Sequence, residues 1–297
     1  MVSLGYSVMS NIINPRVGII FKKIFGAEEN KDILISFVNS IICEKDQINA
    51  VELLNPYNES DFKKDDLAVL YLKGKNKQNS NLLVEMQLVD EKKYLKNGIC
   101  SWANAHYLNQ LISDKVNKGI SRVIVIHILN FTFIDSNKIK KWKIPYVPKY
   151  HHEFALRERE TGIEIFRDLE IHTVELRKFA INATDIEGVI INIEKMLDKW
   201  MSFLTKYDLL KLRHLPEELN VPEITKALSF LKEMHLSKSE LEIYNSQLTA
   251  LRKSIAEENK NKKNARTEKT PILQLIRSSV RSLIDFAHVS LKSILKS

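Results

Sequence analysis

Two carboxylates and an amide carry the clearest chemical signal in the chain: Asp66, Glu85 and Gln87. They lie at the edges or within two short apolar runs, Leu67 to Leu72 and Leu82 to Leu88, which flank Lys73 to Ser80, a stretch rich in Gly, Asn, Lys and Ser. Strand-forming runs around such a turn predict an antiparallel hairpin. With the hairpin symmetric about its turn, Asp66 faces Gln87, and Glu85 sits on the same face one pair up. Cross-strand neighbours approach within about 5 to 8 Å, a span that one hexacoordinate Mg²⁺ (or Mn²⁺) bridges with waters in its remaining positions. Such an ion lowers the pKa of bound water and neutralises charge building on a phosphodiester oxygen. Residue types alone leave a second reading open, in which Asp66 caps the strand start and Glu85 pairs with a lysine.

The elements that must position these groups follow from the hydrophobic spacing. Gly18 to Cys43 repeats apolar residues every three or four positions, the pattern of an amphipathic helix, with Gly26 and Glu28 to Lys31 as a natural break. Ile48 to Leu54 reads as a strand, and Tyr94 to Ile112 returns to helical spacing. Arg122 to Leu129 is almost wholly apolar and β-branched, as in a strand buried on both faces, and Leu169 to Leu176 is its expected neighbour. The order helix, three strands, helix, strand predicts a mixed α/β core. After Phe179 the pattern is helical only. Asp185 to Tyr207 is expected as one helix capped by Asp185 or Thr184, Pro222 to Met234 as another, and Ser239 to Ala256 as a third with Ser239 and Glu242 at capping-box spacing.

Composition excludes several classes. A chain of 297 residues with 44% hydrophobic and 28% charged residues is neither a disulfide miniprotein nor a disordered or fibrous one. No run approaches the roughly 18 apolar residues of a membrane span. Cys43 and Cys100 are the only cysteines, which points to a reducing, cytoplasmic setting, and without a CxxC partner they argue against zinc. Met1 to Pro15 holds no charged side chain and reads as a loose leader, or as an early start with Met9 as the alternative. The net charge is +8, but residues 260–297 contain nine Lys or Arg against Glu268 and Asp285, so the preceding body is close to neutral.

An ordered chain of motifs then narrows the reading. FKKIFG at Phe21 to Gly26, NKDILISFVNSII at Asn30 to Ile42, DL at Asp66 and Leu67, and LLVEMQ at Leu82 to Gln87 resemble the Rpn family of recombination-promoting nucleases, also labelled PD-(D/E)XK nuclease family transposase. VIVIHILNF at Val123 to Phe131, YHHEF at Tyr150 to Phe154, DLEIHTVELRKF at Asp168 to Phe179 and WMSFL at Trp200 to Leu204 continue the match in order. The resemblance covers roughly residues 16–258. It implies an α/β, restriction-endonuclease-like mixed sheet flanked by helices, with an all-helical C-terminal region. The expected division is a leader at 1–15, a nuclease-like core at 16–180, a helical region at 181–258, a basic linker at 259–270 and a basic amphipathic helix at 271–297. By the same resemblance Asp66 and Glu85 are the metal ligands, DNA is the substrate, and Gln87 stands where many relatives in the wider superfamily have lysine.

Two departures from the family pattern bear on activity. Gly18 occupies a position that is usually acidic, and Asn97 takes the place of an arginine suited to a phosphate contact, unless Lys92, Lys93 or Lys96 supplies it. Two readings therefore stay open: a Mg²⁺-dependent DNA endonuclease and a catalytically inactive DNA-binding or assembly remnant. Asp65 reads as a solvated neighbour of Asp66. His151 and His152 are adjacent in an extended segment, so at most one serves a given site. His127 reads as a core histidine, Glu175 as an ion-pair or exposed carboxylate, and Trp102, Trp142 and Trp200 as packing residues. Residues 271–297 fit a helix folded back on the body, a surface for an anionic membrane, or a partner contact such as a homo-oligomer.

Overall fold

The strand runs assemble into a six-stranded sheet in a computed structural model of the chain, which describes residues 13–58, 68–78, 81–89, 120–134, 149–164, 169–179, 183–210 and 215–260. The strands are β1 (Ile48–Leu53), β2 (Ala68–Asn76), β3 (Asn81–Val89), β4 (Ile120–Leu129), β5 (His151–Phe154) and β6 (Leu169–Glu175), in the order β1-β2-β3-β4-β6-β5. β1, β2 and β3 pair antiparallel, β3, β4 and β6 run parallel, and β5 returns antiparallel to β6. Ile124, Ile126 and Ile128 are fully buried, as are Leu129 and almost all of Val125. A run apolar on both faces must be covered on both, which places β4 inside the sheet.

The N-terminal helical pattern does break at Gly26, giving α1 (Gly18–Phe25) and α2 (Lys31–Asn39). A Cβ at Gly26 would stand 2.6 Å from the Lys22 carbonyl oxygen and 2.8 Å from Leu70 Cδ2, so only glycine lets the end of α1 come this close to β2. At the other end of the helix pair, Asn39 donates from Nδ2 to the Ile48 carbonyl and accepts from the Ile48 amide, both at 2.8 Å, and so ties α2 to the start of β1.

The helical region differs from expectation in two places. Asp185 to Tyr207 is two helices, α3 (Ile186–Ile190) and α4 (Met196–Lys206). Asp185 caps the first by accepting from the Gly188 amide at 2.8 Å. Asp198 accepts from the amides of Glu194 and Lys195, each at 2.9 Å, and starts a new helix where continuation was expected. The second difference is the last described helix, α6, over residues 238–260, which follows α5 (Pro222–Glu233). Its capping box is Ser237 with Glu240: the Ser237 amide donates to Glu240 Oε2 at 2.7 Å, and the Glu240 amide donates to Ser237 Oγ at 3.2 Å. Glu240 wins over Glu242 because its other oxygen also accepts from Lys23 and Tyr57. Burial alone would raise the Glu240 pKa, but these bonds outweigh it and hold the carboxylate below its ordinary range.

The chain divides into two compact units, Met1–Leu251 and Arg252–Ser297; in the second, residues 252–260 are helical. Within the first unit, α4 delivers Trp200 onto α1 and α2, with ring centroids 5.7 Å from Phe25 and 5.5 Å from Phe37. Trp200 is fully buried, and its Nε1 donates to Ser36 Oγ at 3.3 Å. The tryptophan therefore joins the helical region to the core beneath the sheet. The expected helix Tyr94 to Ile112, Trp102, Trp142, Cys100 and everything after residue 260 lie outside the described residues. Among the described residues no helix is long and apolar enough to cross a membrane. Replacing Trp200→Ala empties the centre of this aromatic cluster, and urea unfolding is expected to show a loss of about 3–5 kcal/mol; a loss below about 1 kcal/mol would contradict the packing role.

Candidate functional site

The hairpin forms, but in a different register from the symmetric one. β2 extends through Lys73 to Asn76, and Lys75 pairs with Asn81, so Gln87 faces Val69 and Glu85 faces Tyr71. The expected pairing of Asp66 with Gln87 is therefore corrected by three residues. The cause is that Lys73, Gly74 and Lys75, read as turn from their composition, continue the strand by pairing with both β1 and β3. Asp66, Asp65, Asn97 and Lys92, Lys93 and Lys96 lie outside the described residues, whereas Gly18 is the first residue of α1.

Residues directly opposed across a ladder share a sheet face. The registers thus place Gln87 in a row with Val69, His127, Thr173 and His152, and Glu85 in the neighbouring row with Tyr71, Val125, Ile171 and Phe154. E-x-Q consequently spans two adjacent rows on one face of an inner strand. Asn55 positions the β2 end of these rows. Its Nδ2 donates to the Val69 carbonyl at 3.0 Å and its Oδ1 accepts from the Tyr71 amide at 2.7 Å, while the Leu54 amide donates to the Tyr71 carbonyl at 2.8 Å. Sequence reading passed over Asn55, although a lone Asn just after a strand is a side chain suited to mimic backbone pairing.

His127 is a core histidine, as its surroundings in the sequence imply. It is buried, and that burial lowers its pKa from 6.5 to about 4, so the row beside Gln87 gains no positive charge from it at neutral pH. Glu175 proves fully buried and ion-paired. Its Oε1 accepts from Lys178 Nζ at 2.7 Å with His152 Nε2 at 3.3 Å, and its Oε2 accepts from the amides of Phe133 at 2.7 Å and Ile134 at 3.2 Å. One carboxylate therefore holds the exit of β4, the edge strand β5 and the turn after β6. The two adjacent histidines do point to opposite faces: His151 Nε2 lies 3.0 Å from His172 Nδ1, whose Nε2 lies 2.6 Å from Glu170 Oε1. Burial first, then the neighbouring His172, lower the His151 pKa to about 3.

A mixed parallel and antiparallel sheet between helices, with an acidic residue and an amide two apart on an inner strand, defines a restriction-endonuclease-like α/β protein. The chain belongs to the PD-(D/E)XK nuclease family transposases, whose family pattern matches residues 15–261. No curated protein and no solved structure matches it. Nucleases of the PD-(D/E)XK type generally use divalent metal ions.

Two outcomes follow from the buried groups on this face. Between pH 6.5 and about 4 the unfolded chain binds a proton at His127 that the folded chain refuses, so stability is expected to fall as pH drops through that window. NMR should show the His127 ring untitrated above pH 5; a midpoint near 6.5 would contradict its burial in neutral form. Glu175→Ala removes the shared acceptor of Lys178 and of the half-buried Phe133 and Ile134 amides and is expected to cost about 1–3 kcal/mol in urea unfolding, and a change within about 0.5 kcal/mol would contradict the clamp.

Proposed function

We propose that the chain is a cytoplasmic DNA endonuclease of the recombination-promoting, transposase-associated type, hydrolysing phosphodiester bonds with Mg²⁺ or Mn²⁺. The observation that supports this most directly is the placement of Glu85 and Gln87 on one face of inner strand β3, within a chain whose family match spans residues 15–261. The donor set suits a hard divalent ion, since Asp66 and Glu85 offer carboxylate oxygens and Gln87 an amide oxygen, with no soft ligand among them. Asp66 and Glu85 would hold the ion, which when bound acidifies water and offsets charge on the phosphodiester.

Gln87 orients the attacking water or a phosphate oxygen through its amide, but it brings no positive charge where many relatives in the superfamily use lysine. Its ladder neighbour His127 is neutral and does not compensate. An ion held by Asp66 and Glu85 would therefore have to offset more of the transition-state charge than in a lysine-bearing site. Thr173, also in the row, is fully buried.

A second reading, a catalytically inactive DNA-binding or assembly remnant, is favoured by Gly18: the first residue of α1 has no side chain to offer where the family has an acid. A homo-oligomer, or contact of residues 271–297 with a partner or an anionic surface, is compatible with either reading and required by neither. The deciding experiment is incubation of supercoiled and linear DNA with purified protein and Mg²⁺ or Mn²⁺, beside Asp66→Ala and Glu85→Ala. Cleavage lost in both variants supports the nuclease. Folded wild-type protein that cuts no faster than the variants, yet binds DNA without metal, would establish the remnant.

A further inference from the structure

On the sheet face opposite Glu85 and Gln87, the β5–β6 pair gathers a second set of ligating groups. Here the row runs Leu70, Met86, Ile126, His172 and Glu153, with Glu170 two residues before His172 on β6. One donor atom each from Glu153, Glu170 and His172 lies within 4.8 Å of the other two. The same holds for Cys43, Asp46 and Glu170, so Glu170 belongs to both groups. Glu153 and Glu170 line a cleft of ≈ 720 Å³ together with Cys43, Glu164, Lys45 and Lys77.

We propose that His172, Glu170 and Glu153 form a binding site for a borderline divalent transition ion of the Zn²⁺ class, separate from the nuclease ion, with Cys43 and Asp46 completing its surroundings through the shared Glu170. Three observations carry it. First, Glu170 and His172 are 3% and 1% exposed in rows that also hold the buried Leu70, Leu72, Met86, Ile124 and Ile126, where a carboxylate and an imidazole are costly unless tightly compensated. Second, His172 is set up as a metal ligand. Its Nδ1 is engaged by His151 at 3.0 Å, the kind of outer partner that fixes a ligating ring, and its Nε2 lies 2.6 Å from Glu170 Oε1. In the metal-free protein a proton on Nε2 bridges that gap as a hydrogen bond to Glu170. The ion replaces a proton there, the two groups spread to admit it, and the proton leaves to solvent.

Third, Glu153 is exposed at the cleft, directly across the ladder from His172, and gives an entering ion its first ligand. The mixed nitrogen and oxygen donors favour transition ions over Mg²⁺, whereas the Asp66, Glu85 and Gln87 set offers oxygen alone. An ion here joins edge strand β5 to β6, and through Glu170 to the segment that follows α2.

The test is titration of tag-free, full-length protein with Co²⁺ in excess Mg²⁺, read by visible absorption, with Zn²⁺ competing it off. Glu153→Gln, His172→Gln and Glu85→Gln are compared, with circular dichroism confirming that each is folded. The proposal expects one Co²⁺ per chain, displaced by Zn²⁺, with affinity reduced at least about tenfold in Glu153→Gln and His172→Gln, and retained in Glu85→Gln. Because Glu153 is exposed, Glu153→Gln decides the matter even where His172→Gln does not fold. Absence of stoichiometric Co²⁺, affinity unchanged in Glu153→Gln, or loss of the ion in Glu85→Gln would each overturn it.

Discussion

Strand β4 has no face to give to water, and the rest of the molecule is arranged around that constraint. Its buried isoleucines need cover above and below, and its edges need partners for every backbone amide and carbonyl. β3 and β6 supply the partners in parallel, and their registers then fix which residues share a row. Gln87 comes to lie beside His127 because β3 is held against β4 in that register, and a slip of one residue would carry E-x-Q to the opposite face. The position of E-x-Q is thus a consequence of burying RVIVIHIL.

The same constraint explains how polar groups near the site are handled. A buried histidine next to Gln87 persists as the neutral form, and a buried carboxylate at Glu175 persists because two amides, Lys178 and His152 satisfy both of its oxygens. Glu175 is then a brace for the segment leaving β4. On the other face, Glu170, His172 and His151 form a separate polar chain, so the sheet keeps two sets of titratable groups apart by its own pleat.

Much of the architecture was legible in the amino-acid pattern. The break at Gly26, the doubly buried β4, its pairing with β6 and the packing role of Trp200 all follow from apolar spacing, because burial of large side chains overrides local detail. Where the reading failed, a hydrogen-bonding partner that apolar spacing does not register decided. Asp198 restarted a helix, Glu240 rather than Glu242 closed the capping box, and Lys73 to Lys75 stayed in the strand despite a turn-like composition. The roles of Asn55, Glu170 and His172 depend on partners distant in sequence, which spacing cannot encode. At the candidate site, E-x-Q was placed on its strand correctly, while its cross-strand partners needed the three-dimensional register.

The central claim is that the charge on Glu85, placed on inner strand β3, makes DNA cleavage depend on a divalent ion. Its most direct test is the rate of supercoiled-plasmid nicking across a Mg²⁺ series for wild type and the isosteric Glu85→Gln, with DNA affinity measured on the same samples. The account expects nicking to fall by at least about 10²-fold, with DNA affinity nearly unchanged. Equal nicking by the two proteins, or nicking by wild type that persists when EDTA removes the metal, would contradict it.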